Sequence, residues 1–227
     1  MLPGLDGTGR LFAPLVPHLS PQLEPLVVSY QAQEVFSYRE LLPVVLSSLP
    51  TSGQFIVLGE SFSGPLGVLA AAQHPHGLLG LVLVASFVRS PLPRALSLLA
   101  PLVRGWLLSA SPSALQQRVL LGPSSSEELR AQLREAVATV PSSVLAARVR
   151  NILTVNVVAQ LRAVTVPILY LAASNDALVR PQSLRLIQRI APQVHAVTIA
   201  GPHLLLQTAF REAATAISSF AASVGAF

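Results

Sequence analysis

The chain contains no cysteine, which excludes disulfides and thiolate metal sites alike. Charge is scarce: only 11% of the 227 residues are Asp, Glu, Lys or Arg. So little charge beside 52% hydrophobic residues excludes a disordered chain and predicts one domain with a sizeable core, with room for an insertion. Lysine is missing altogether, so the formal charge of +5 and the pI near 11 rest on arginine. The arginines are scattered and never gather into a basic run, so no nucleic-acid partner is expected. The N-terminus, MLPGLDGTGR, shows neither the charged n-region nor the apolar h-region of a signal peptide, and a cytoplasmic location is expected. A long apolar run is also missing. The longest uncharged stretch, 61–88, is interrupted by Gly64, Pro65, Gly67, Pro75, Gly77 and Gly80. That pattern predicts a buried helix, a turn and a central strand, with no stable membrane insertion.

What is present is an alternation. PLVVSY (25–30), QFIVLGE (54–60), GLVLVASF (80–87), VPILYLAA (166–173) and HAVTIA (195–200) are short apolar runs. Runs of this kind suit strands buried on both faces of a parallel sheet. Helical patterns lie between them at 9–19, 37–49, 62–73, 181–191 and 204–222. The βαβα order predicts an α/β fold with a doubly wound, mostly parallel sheet. Residues 88–165 break the rhythm, with helical pieces at 93–109, 112–121, 125–139, 142–153 and 154–163. So long a connection between two strands predicts a helical cap over the carboxyl edge of the sheet. The domain expectation is therefore core 1–87, cap 88–165 and core 166–227. No internal repeat or low-complexity linker is present.

Ligands in an open α/β sheet bind beyond the carboxyl ends of the strands, so the polar residues there carry the chemistry. GESFSG (59–64) follows the second run and differs by one residue from the nucleophile-elbow pattern G-x-S-x-G, with Ser63 at its second glycine. Ser61 stands where the strand turns into a helix, and Gly59 and Gly64 supply the small residues that such a turn needs. Serine is also a favoured helix N-cap. Two further residues decide between these readings. Asp176, one of only two aspartates, follows the strand 166–173 in SNDALV, and His203 follows the last strand in GPHLLLQ. A serine hydroxyl needs a base and the base needs an orienting acid, and here all three stand past strand ends in the order Ser, Asp, His.

Other features have plainer readings. GLDGTGR lacks the lysine and the spacing of a phosphate-binding loop, and Asp6 within it reads as a turn residue. His18 and His195 are expected at the surface, and His74 and His76 in a helix-ending turn without metal-ligand neighbours. Ser63 is expected to cap the helix or make a local hydrogen bond, and Glu60 to be structural. Leu98, Leu99, Leu102, Val103, Trp106, Leu107 and Leu108 are expected in the core of the cap, some of them lining an apolar pocket.

With these residues placed, the chain resembles the α/β-hydrolases, and within them the small capped bacterial carboxylesterases, near the pimeloyl-ACP methyl ester esterases. The resemblance covers nearly the whole chain. It implies Ser61 as nucleophile, His203 as base and Asp176 as its orienting acid. It also implies that LPGLDGTG (2–9) is the oxyanion loop, with the N–H groups of Leu5 and Phe62 as donors. The implied activity is hydrolysis of small to medium lipophilic carboxylic esters, without metal or organic cofactor. The same residues suit a thioesterase, an amidase, a cofactor-free perhydrolase or an acyl-carrier-protein methyl esterase. The last would place Arg89, Arg94 and Arg104 in a basic patch on the cap. A hydrolase-like binding protein without turnover is the non-enzyme alternative. Three departures stand out: Ser63 in the elbow, LPG in place of His-Gly, and the near absence of the strand before the loop. About five strands with a vestige of a sixth are expected, and the short edge leaves room for a second subunit of a homodimer.

Overall fold

In a computed structural model of the protein, the apolar runs after residue 54 assemble into one parallel sheet. The residues described are all except 31–32, 94–97, 99, 106–112, 124 and 227, together with the side chains of 113 and 115. The strands are β1 (Phe55–Glu60), β2 (Leu78–Val84), β3 (Ile168–Ala173) and β4 (Val194–Ile199). They lie in the order β1-β2-β3-β4, each pair parallel. Val82, Leu83 and Val84 of β2 have no exposed surface, as expected of a central strand covered on both faces.

The run 25–30 is not a strand. It is extended, but among the described residues its ladder bonds go only to Met1: Val28 donates to Met1 at 3.0 Å, and the Met1 amino group to Leu26 at 2.6 Å. Pro25 has no N–H to give, and the Tyr30 N–H turns away to the Gly7 carbonyl at 2.8 Å. Leu2 forms a single parallel bridge to Gly59, beside β1.

The flanking helices are α1 (Tyr38–Ser47), α2 (Gly64–Ala71), α7 (Pro181–Ile190), α8 (Leu205–Thr208) and α9 (Phe210–Ser223), and among the described residues four more, α3 to α6, lie between β2 and β3. The start of α1 carries a capping box, with Ser37 and Glu40 each accepting from the other's backbone N–H. Helix α2 is apolar all round and, apart from a partly exposed Leu69, buried. The predicted helix 9–19 is instead two 3-10 turns, Arg10–Phe12 and Val16–His18, because Pro14 and Pro17 deny it the ladder donors. The predicted helix 204–222 is broken at Ala209 between α8 and α9.

Between β2 and β3 run α3 (Ser113–Leu121), α4 (Glu127–Ala138), α5 (Ser142–Thr154) and α6 (Val158–Ala163). The piece predicted at 93–109 falls largely outside the described residues; a 3-10 turn, Ala100–Leu102, lies within it. Two of them pack on loops near the sheet's carboxyl edge. Leu121, Leu133 and Ala136 pack with Leu11 and with Leu204, the neighbour of His203. Among the described residues, no helix is long and apolar enough to cross a membrane.

Candidate active site

The elbow is held in a conformation that serine does not choose by itself. Ser61 lies at φ 46°, in the left-handed region, which costs a non-glycine residue on the order of 1–3 kcal/mol. Its carbonyl accepts from Ser86 Oγ at 2.7 Å. Ser86 is clamped in turn by Tyr170 of β3, whose hydroxyl donates to the Ser86 carbonyl at 2.7 Å and accepts from its N–H at 3.2 Å. The next residue, Phe62, is fully buried and stacked on Tyr38, with ring centroids 4.9 Å apart. The Tyr38 hydroxyl donates to the Phe62 carbonyl at 2.8 Å. Small residues are obligatory here: a Cβ on Gly59 would sit 2.6 Å from the Ser63 carbonyl, and one on Gly64 would collide with Ser86 Oγ.

Two loops meet at the other side of Ser61. The loop after β3 is zipped to the end of β4 by Ser174 N–H to Ile199 O at 3.0 Å and Asn175 N–H to Gly201 O at 2.9 Å. This zipper brings Asp176 against His203. Asp176 accepts the N–H groups of Leu178 and Val179, each at 2.8 Å, and both its oxygens face His203 Nδ1 at 2.9–3.0 Å. A carboxylate only accepts, so the proton sits on Nδ1 and the Nε2 lone pair faces Ser61 Oγ at 2.8 Å. The side chains of His203 and Asp176 are 4% and 5% exposed. Ser61, Asp176 and His203, predicted from three separate strand ends, form one hydrogen-bonded chain.

The loop 2–9 lies beside the elbow because Leu2 is bridged to β1, with Leu2 N–H to Leu58 O at 2.7 Å and Glu60 N–H to Leu2 O at 3.2 Å. Ser63 does not cap the helix. Its hydroxyl accepts from Tyr30 Oη at 2.6 Å and donates to the carbonyl of Pro3, tying the elbow to this loop. The loop turns on a Gly7 N–H to Gly4 O bond at 3.1 Å. Neither the Leu5 nor the Phe62 N–H has an acceptor among the described residues. Asp6 is the turn residue expected: its carboxylate takes the Thr8 N–H at 2.9 Å and the Thr8 hydroxyl at 2.5 Å.

Glu60 is buried beneath this loop. Burial pushes its carboxyl up to about 8; Gln207 opposes the shift, the charge of Asp6 adds to it, and the Gly4 N–H opposes it. Sequence reading missed Tyr30, Ser86, Tyr170 and Arg148 altogether. Arg148, on α5, is buried and donates to the Leu5 and Asp6 carbonyls at 2.9 and 2.6 Å. Nothing in the sequence distinguishes it from Arg150 on the same helix.

The expected core of the 88–165 segment needs correction. Leu98 and Leu102 are 80% and 63% exposed rather than in a core. Val103 is half-buried. Leu99, Trp106, Leu107, Leu108 and Arg94 lie outside the described residues. Arg89 and Arg104 are exposed, as are His18, His74, His76 and His195. Among the described residues no cluster of metal-ligating side chains occurs.

No curated protein matches the sequence. Solved structures do match in fold. An esterase from Thermogutta terrifontis superposes with a TM-score of 0.80 at 18% identity, covering 96% of this chain and 86% of that one. An enol-lactonase from Burkholderia xenovorans LB400 gives 0.74 at 16%, covering 97% and 88%. A bromoperoxidase from Bacillus anthracis gives 0.75 at 15%, covering 98% and 89%. At such identities these likenesses establish the fold alone. Residues 39–206, which span the elbow, Asp176 and His203, match the Hydrolase_4 family, described as Serine aminopeptidase, S33. The chain therefore belongs to this family of α/β-hydrolases.

Proposed function

We propose that the protein is a serine hydrolase that cleaves carboxylic esters through an acyl-enzyme. The observation that carries this reading is the unbroken chain Ser61 Oγ, His203 Nε2 and Nδ1, Asp176, with contacts of 2.8–3.0 Å. His203 takes the Ser61 proton as Oγ attacks the ester carbonyl. Asp176 holds the ring in the required tautomer and stabilises the imidazolium that forms. The Leu5 and Phe62 N–H groups receive the oxyanion; a donor of this kind is worth about 2.7–4 kcal/mol in the transition state. The alcohol leaves with the proton from His203. Water, activated by the same ring, then attacks the acyl carbon and releases the acid and Ser61. These steps use only side chains and backbone of this chain. The segment 88–165 serves as the cap, and the small share of charged residues suits uncharged, moderately lipophilic esters.

The test is a series of p-nitrophenyl esters of increasing acyl length beside aminoacyl p-nitroanilides, since the family description includes peptidase chemistry. The expected result is turnover of esters and loss of about 10⁴-fold or more in kcat for Ser61→Ala. Turnover of the anilides alone would replace the esterase reading with an amidase one. Full activity of Ser61→Ala would overturn the nucleophile.

A further inference from the structure

Each carbonyl from Pro3 to Asp6 has a partner. Ser63 holds Pro3, the Gly7 N–H holds Gly4, and one Arg148 nitrogen, Nη1, holds both Leu5 and Asp6. The first two partners belong to the core, on the elbow and on the loop itself. Arg148 alone comes from the helical segment between β2 and β3. The peptide group that carries the Leu5 N–H thus lies between one peptide pinned by the elbow and one pinned by the cap.

Arg148 is also unusual in its surroundings. It is 3% exposed, yet among the described residues no carboxylate lies within ion-pair distance of it. The nearby Asp6 carboxylate is occupied by Thr8. The guanidinium lies 5.8 Å from the Tyr30 ring centroid, and Tyr30 is the residue that orients Ser63. Room for the cation is made by Gly7 at φ 69°: a Cβ there would stand 2.5 Å from Nη1. Burying a cation against carbonyl groups instead of a carboxylate is costly, and a helix needs no such contact merely to pack.

We propose that Arg148 is a positioning residue which orients the Leu5 N–H for the oxyanion and so couples the placement of the cap to the chemical step. This rests on the serine-hydrolase reading above. Arg148 acts through the loop, so its loss lowers kcat and leaves ground-state binding in place. Displacing a donor by about 1 Å costs on the order of 100-fold. Losing one of several restraints on the loop is expected to cost about 10–100-fold.

The experiment compares wild type, Arg148→Ala and Arg148→Lys in steady-state ester hydrolysis, with and without guanidinium chloride at concentrations below unfolding. The expected result for Arg148→Ala is the kcat loss above, a KM within about threefold of wild type, and partial recovery with added guanidinium. Affinity for a trifluoromethyl ketone should fall in step with kcat/KM. Arg148→Lys, which keeps the charge but not the planar fork, should lie between the two and decides the matter if Arg148→Ala does not fold. Unchanged kcat in a folded variant overturns the proposal. So does a loss confined to KM, or a lower Tm with no guanidinium recovery. Wild-type inactivity on every ester would count against the functional reading instead. In that case the rate of fluorophosphonate labelling at Ser61, wild type against variant, still decides the role of Arg148.

Discussion

At the scale of single residues, Ser63 and Glu60 show what the neighbours of Ser61 do for the fold around it. Ser63→Ala removes the donor to Pro3 and leaves the buried Tyr30 hydroxyl without its acceptor. It should cost about 1–3 kcal/mol in urea unfolding and lower kcat as the loop loosens; unchanged values in both would make the hydroxyl incidental. Burial raises the Glu60 carboxyl from 4.5 to about 8, so the folded state holds a proton there that the unfolded chain has released. The stabilisation is complete below pH 4.5, declines as pH rises toward about 8 and is gone above it. Glu60→Gln, which cannot ionise, should flatten the dependence of Tm on pH across this window. An equally steep slope in the variant would place the titration elsewhere.

At the scale of elements, the elbow depends on contacts between strands. Ser61 follows β1, but its strained backbone is held by Ser86 after β2, which is held by Tyr170 on β3. Gly64, at the start of α2, gives Ser86 its place. Alanine is the better helix former by about 1 kcal/mol, yet Gly64→Ala should destabilise by about 1–3 kcal/mol through overpacking and depress kcat. Thermal melts and steady-state kinetics check both; a variant more stable than wild type would show that the propensity wins. The same dependence on partners explains the run 25–30. Its composition suits a strand, but a strand needs a ladder, and among the described residues its ladder bonds go only to Met1.

Across the whole molecule, the helices between β2 and β3 are fastened to the core by an apolar cluster as well as by Arg148. Leu133 of α4 is 5% exposed and packs with Leu11, Leu121 and Leu204. Leu133→Ala should therefore cost about 2–5 kcal/mol within a single unfolding transition, because the cluster includes residues of both parts. Two resolved transitions in calorimetry would show instead that the segment melts by itself.

The sequence alone determined the α/β class and the standing of Ser61, Asp176 and His203 past strand ends in that order, because these follow from local patterns. Continuous apolar runs make buried parallel strands, and the chemistry of such a sheet collects where each strand ends, at Ser61, Asp176 and His203. Glu60 was visible there too, but its burial was not. Only the tertiary structure decided what Ser63 binds, that Leu98 and Leu102 face outward, and that Tyr30, Ser86, Tyr170 and Arg148 belong to the site. The contacts of Ser63, Tyr30, Ser86, Tyr170 and Arg148 join residues distant in sequence, up to 143 positions apart for Arg148 and Leu5. A periodicity records which way a side chain points within its own element, and it carries no information about which element will stand opposite.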